Sequence, residues 1–154
     1  MIEVMVNGKV PPTATRARIV RAVNEACASG RKRRTVSVSV SFIGDGRMAS
    51  LNRTWRGKPS TTDVLSFAPA EIPGTHGSSE LGDIFISARV VARNARKQKI
   101  TVREELLRVV IHGTLHLLGY DHATKRDAAK MFRIQERALG NVLGSRPVST
   151  TFMR

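Results

Sequence analysis

Cysteine is almost absent from this chain: Cys27 is alone among 154 residues, so no intrachain disulfide can form. Set among small and branched residues, it reads as a core position and not as a nucleophile. Aromatic residues are few, with five Phe, one Tyr and one Trp, and an RNA-binding sheet built on stacking platforms is not indicated. No apolar run is long enough to span a bilayer. No signal peptide is expected either, because the N-terminus alternates as a strand and soon meets Pro11-Pro12. The cytoplasm is the expected compartment, with no membrane partner. Acidic residues are scarce, 12 Asp and Glu against 26 Lys and Arg, giving a net charge of +14 at pH 7. Such a surface favours a polyanion, the competing reading being a solvated surface in an arginine-rich proteome. Its basic stretches are Arg31-Lys32-Arg33-Arg34, then Arg89, Arg93, Arg96, Lys97 and Lys99, then Lys125, Arg126, Lys130, Arg133 and Arg137.

At this length the chain can bury one sizeable core but not two. Ile2 to Val6 reads as a strand, and after Pro11-Pro12 and a cap at Thr13, residues 14 to 29 read as a helix with Ile19, Val20, Val23 and Ala26 inward. Val36 to Phe42 alternates with period two and is the clearest strand, its serines on the more polar side. A short helix from about Arg47 to Trp55 follows Gly44-Asp45-Gly46. Val64 to Phe67 and Ile84 to Ile86 are further strands, separated by a loop from Pro69 to Ser79 that carries His76, read as a loop residue apart from any site. Helices at about 88 to 98, 102 to 118 and 124 to 139 complete the pattern. It predicts an α/β (α+β) fold: a single compact domain, residues 1–144, with a small mixed β-sheet packed against helices. Residues 145–154 are expected to form a flexible tail.

What is present in concentrated form is histidine. Of four in the chain, three fall within eleven residues, His112-Gly113-Thr114-Leu115-His116-Leu117-Leu118-Gly119-Tyr120-Asp121-His122. Leu106, Leu107, Val109, Val110, Ile111, Leu115 and Leu118 mark a largely buried helix, on which His112 and His116 lie one turn apart on one side. Gly119 can adopt the left-handed conformation that ends a helix and turns the chain, delivering His122 from outside it. The predicted metal site therefore lies at the end of the buried central helix. Chance supplies the other two histidines and the glycine at these offsets in roughly a few cases per hundred thousand. Three neutral imidazoles suit Zn2+, one per chain, and leave a fourth position for water, as in catalytic sites. Metzincin peptidases share this spacing, but their general-base glutamate follows the first histidine, where this chain has Gly113. Asp121 is the carboxylate nearest in sequence; it orients a histidine, takes part in proton transfer, or simply caps a turn.

A second informative stretch runs from Leu51 to Phe67. Arg56 and Lys58 sit at a helix-to-loop junction ahead of an apolar strand, where a guanidinium can grip a phosphate in bidentate fashion. A surface pair with Asp63 or Asp83 is the plainer alternative. No P-loop is present, since Asn52 occupies the position five residues before Gly57 that would need glycine.

The His112 to His122 segment, the Arg56-Gly57-Lys58 to Phe67 stretch and Leu81 to Ser87 together resemble, in order and spacing, the YbeY family of metal-dependent endoribonucleases, or rRNA maturation factors. The resemblance implies zinc bound through His112, His116 and His122 and cleavage of single-stranded RNA. It further implies a role in 3′-end maturation of 16S rRNA and in ribosome quality control. The implied partners are the 16S rRNA precursor, the small ribosomal subunit or 70S ribosome, and ribosome-associated proteins. The family's functionally important arginine falls on Arg56; the reading of the residues themselves adds Lys58 as an RNA contact and Asp121 as a further catalytic candidate. Trp55 stands where a tyrosine is common, and Pro59-Ser60-Thr61 replaces the more usual Asp-Lys-Pro, so the loop's shape is its own. Two other classes remain: a nonenzymatic ribosome assembly factor with a structural zinc, and a metallopeptidase, which Gly113 disfavours.

Overall fold

The computed structural model describes residues 2–30, 36–58, 60–69 and 80–144. The basic run Arg31 to Arg34, Pro59, His76 and the expected tail 145–154 lie outside the described residues. Along the chain come β1 (Ile2–Asn7), α1 (Arg16–Ser29), β2 (Val36–Phe42), α2 (Asp45–Arg56), β3 (Val64–Phe67), β4 (Glu80–Ile86), α3 (Ala88–Gln98), α4 (Val102–Leu117) and α5 (Lys125–Leu143). The strand order is β1-β2-β4-β3, with β1 and β4 parallel to β2 and β3 antiparallel to β4. The expected small mixed sheet is therefore present.

Period-two alternation assigns the faces of the sheet. Val38 and Val40 of β2 and Ile84 and Ile86 of β4 point into the main core with Leu106, Leu107, Val110 and Ile111 of α4. Leu65 and Phe67 of β3 and Phe85 of β4 point the other way, onto Met48 and Leu51 of α2. Helix α4 is buried almost all round, from Glu104 to Leu115, because the sheet lies on one side and α1, α3 and α5 pack around the rest. Gly113 permits this closeness: a Cβ there would lie 2.9 Å from Ser66 Oγ and 3.0 Å from Ile84 Cγ2.

Several boundaries differ from expectation. The cap of α1 is Thr15, whose side chain accepts from the Arg18 amide, and not Thr13. Val20 is only partly buried, while Ala22 and Cys27 join Ile19, Val23 and Ala26 inside. Helix α2 begins at Asp45, where the acidic side chain meets the positive end of the helix dipole. No helix among the described residues is long and apolar enough to cross a membrane.

Candidate metal centre

The last turn of α4 and the five residues after it build the site. The Gly119 amide donates to His116 O at 3.0 Å and the Tyr120 amide to Leu115 O at 3.0 Å, the paired bonds of a Schellman ending. Gly119 has φ +99°, backbone that a residue with a Cβ rarely adopts. This reversal swings Tyr120, Asp121 and His122 back over the helix end. The chosen ligand nitrogens of His112, His116 and His122 then lie within 4.8 Å of one another. A tetrahedral site with metal–nitrogen bonds of about 2.0–2.1 Å asks for nitrogens about 3.3 Å apart, so modest closure would complete it.

Hydrogen bonds decide which nitrogens face inward. His116 Nδ1 lies 2.9 Å from the Tyr120 carbonyl oxygen; a carbonyl only accepts, so Nδ1 carries the proton and Nε2 the lone pair. His112 Nδ1 lies 2.8 Å from Gln135 Oε1. The Gln135 amide is oriented in turn, since its Nε2 donates to Glu136 Oε2 at 3.0 Å, which leaves Oε1 to accept from His112. The two Nε2 atoms are 3.0 Å apart with no proton between them, an arrangement that a shared cation relieves. The residues present therefore fit zinc in donor type, tautomer and spacing, with both helical ligands oriented from outside the cluster.

Burial favours the neutral imidazoles that a metal needs. Burial and then the neighbouring His116 push the His112 pKa down to about 4, against a smaller opposing effect of the Gln135 bond, with His122 adding the least. Burial and then His122 lower that of His116 as well. His122 is exposed, and its position is set through the backbone: its amide donates to Asp121 Oδ1 at 2.7 Å. Asp121 thus caps the turn that presents the third ligand.

A cleft of about 440 Å³ opens over these groups, lined among others by Arg56, Ser66, His116, Tyr120, Asp121 and His122. Arg56 ends α2, with its guanidinium 4.6 Å from the Phe67 ring centroid and its Nη2 donating to the Ser66 carbonyl at 2.8 Å. Ser66 Oγ donates to Gly113 O at 3.0 Å, so β3 connects Arg56 to the helix that carries the ligands. Lys58, one residue beyond the left-handed cap Gly57, is exposed and does not line this cleft. Gly113 faces the sheet, where the glutamate of a peptidase would collide with Ser66, Ile84 and Val64.

Four contributors escaped the sequence. Gln135 meets His112 across 23 positions, and no local pattern points to it. Glu136 is gripped by Arg108 through Nε at 3.0 Å and Nη2 at 2.9 Å, and Arg108 also bonds Glu104 and Glu105. Arg108 is 1% exposed. Burial opposes its charge, but bonds to Glu136 and Glu104 hold its pKa above the ordinary value. The offsets of Glu104 and Glu105 from Arg108, four and three residues, were the available signal. The fourth, Ser66, carries no motif.

Known proteins resemble the chain along nearly its whole length. The family model described as "Endoribonuclease YbeY" matches residues 4–142. A protein named "Endoribonuclease YbeY" from Anaeromyxobacter sp. (strain Fw109-5) is 42% identical over 130 residues, covering 84% of this chain and 67% of that one. One of the same name from Persephonella marina is 33% identical over 143 residues, covering 92% of this chain and 94% of its own. The solution structure of TM1509 from Thermotoga maritima superposes with a TM-score of 0.61 at 28% identity, over 92% of this chain and 89% of that one.

Proposed function

Because the chain belongs to the YbeY endoribonuclease family, we propose that it is a zinc-dependent endoribonuclease of rRNA processing, cutting single-stranded RNA at the His112, His116 and His122 centre. Its substrate is the 3′ end of the 16S rRNA precursor, met within the small subunit or the 70S ribosome in the cytoplasm, where it also serves ribosome quality control. Ribosome-associated proteins would help to choose the site. The catalytic unit is one domain, residues 1–144. The observation that carries this reading is the convergence of three imidazoles, two of them with inward lone pairs, beside a cleft lined by Arg56.

When bound, zinc supplies Lewis-acid polarisation of a phosphoryl oxygen and activation of water. Arg56 neutralises charge developing on the non-bridging oxygens, held in place by Ser66 and Phe67. Asp121 keeps His122 presented through its amide and is the carboxylate at hand in the cleft for proton transfer. Lys58, farther out, meets the RNA backbone. The open cleft favours an unpaired strand that can bend towards the centre.

The test is cleavage of an end-labelled, unstructured RNA by metal-stripped protein with and without restored zinc, with the His112→Ala protein in parallel. Zinc-dependent cleavage, reduced at least a hundredfold in the variant, is the expected result. Intact RNA with folded, zinc-loaded wild type would turn the reading towards an assembly factor.

A further inference from the structure

The metal cleft is one of three concavities that meet at Tyr120. The second shares Gly119, Tyr120 and Asp121 with it and adds Gly30, Leu118, Asp127 and Lys130. The third, of about 640 Å³, is walled by Ser29, Tyr120, Lys130, Arg133, Ile134 and Arg137. Lys130 belongs to both of these, with its ammonium 5.9 Å from the Tyr120 ring centroid. A continuous run of concave surface therefore leads from the metal centre past Tyr120 onto α5.

The α5 cations that line it, Lys130, Arg133 and Arg137, share one helix face with Arg126. Arg126, Lys130, Arg133 and Arg137 are spaced four, three and four residues apart, which keeps them on one side of α5 over about 16 Å. All four are exposed. Two carboxylates flank the stripe in helical register: Glu136 is turned inward and held by Arg108 through two bonds, and Asp127, one turn before Lys130, shares the second concavity with it without forming an ion pair to it. Among the described residues, no ion pair joins the stripe to a carboxylate. Four positive charges on one face against a single flanking outward carboxylate, Asp127, fit a linear anion, and the track begins where a phosphodiester is proposed to be cut.

We propose that Arg126, Lys130, Arg133 and Arg137 form a strand-holding track, along which the backbone of single-stranded RNA lies on one side of the scissile bond. The inference rests on the endoribonuclease reading and adds to it a binding surface outside the metal cleft. Phosphate contacts of this kind carry affinity and salt dependence but no sequence preference. A strand too short to leave the cleft gains nothing from them.

The experiment compares zinc-loaded wild type with the Arg133→Gln/Arg137→Gln double variant, two exposed positions whose loss should leave the circular dichroism and melting midpoint unchanged. Unstructured 20-nucleotide and 4-nucleotide RNAs are each assayed for binding and cleavage across a range of KCl. For the 20-mer, Kd and KM should rise about tenfold with kcat unchanged. Its log Kd against log salt slope should shrink by about 1.4, at about 0.7 per single-strand phosphate contact. Cleavage of the 4-mer should be unchanged. Wild-type affinity and slope for the 20-mer in the variant would overturn the track, as would equal losses for both lengths, which would place the arginines' effect at the cleft. If wild type cleaves neither RNA, the nuclease reading fails, and the 20-mer binding slope still decides the track by itself.

Discussion

Gln135 has no reactive chemistry of its own, yet it sets the tautomer of a metal ligand. Its oxygen accepts from His112 Nδ1, and its orientation is fixed by Glu136. Without that acceptor the imidazole can place its proton on Nε2, the nitrogen that must coordinate. Gln135→Leu is expected to weaken zinc binding by about 10–100-fold, and Gln135→Glu to weaken it as well, because it loses the donor to Glu136 and sets a second carboxylate against that one. Competition against a chromophoric chelator measures both, and imidazole nitrogen shifts of metal-free protein report the tautomer; wild-type affinity in the Leu variant would refute the role. His112 itself predicts a pH effect. Its folded pKa is about 4 against 6.5 for an imidazole free in water, so between these values the unfolded chain binds more protons. This contribution is complete above about pH 6.5 and is lost as pH falls towards about 4, a change on the order of 3 kcal/mol. The lowered pKa of His116 acts in the same sense. Urea midpoints of metal-free protein at pH 7.5 and 4.5 should therefore diverge more for wild type than for His112→Gln. Equal divergence would remove His112 as the cause.

At the scale of elements, what the sequence makes legible is what is local. Strand β2 spans the residues its alternation marks, and β3 and α3 start and stop where expected. The ligands of the metal centre lie on one helix and one turn, so their spacing alone locates them. Strand β4 is longer than expected, starting at Glu80, because its ladder with β2 runs from there. Pairing with β2 carries Gly82, and pairing with both β2 and β3 carries Asp83, residues with little strand preference of their own. Helix α5 runs to Leu143, past the expected end near 139. Leu139 and Val142 continue its buried stripe across Gly140, and packing outweighs the glycine's weak helix preference. Arg108 is the instructive failure: sequence logic places an arginine outside a buried helix. Here it sits inside because three carboxylates from α4 and α5 surround it. That pairing couples the helix bearing His112 to the helix bearing Gln135, a long-range relation that no window of sequence contains.

For the molecule as a whole, the question is whether the metal centre supports the fold or is supported by it. All three ligands fall within the eleven residues from His112 to His122, so a bound ion closes only a short loop. Such closure removes little chain entropy, whereas a structural zinc staples segments that have no core of their own. The core here spans α1, the sheet, α4 and α5, from Ala14 to Val142, and owes nothing to the ligands beyond the burial of His112. Chelating the zinc should therefore abolish RNA cleavage while leaving the helical circular dichroism at 25 °C intact. The thermal midpoint should fall only by the amount that mass action on the native state provides, a shift that grows with free zinc when the ion is restored. Loss of helical signal on chelation at 25 °C would contradict this. The ion would then be a staple, and the case for a nonenzymatic assembly factor would strengthen accordingly.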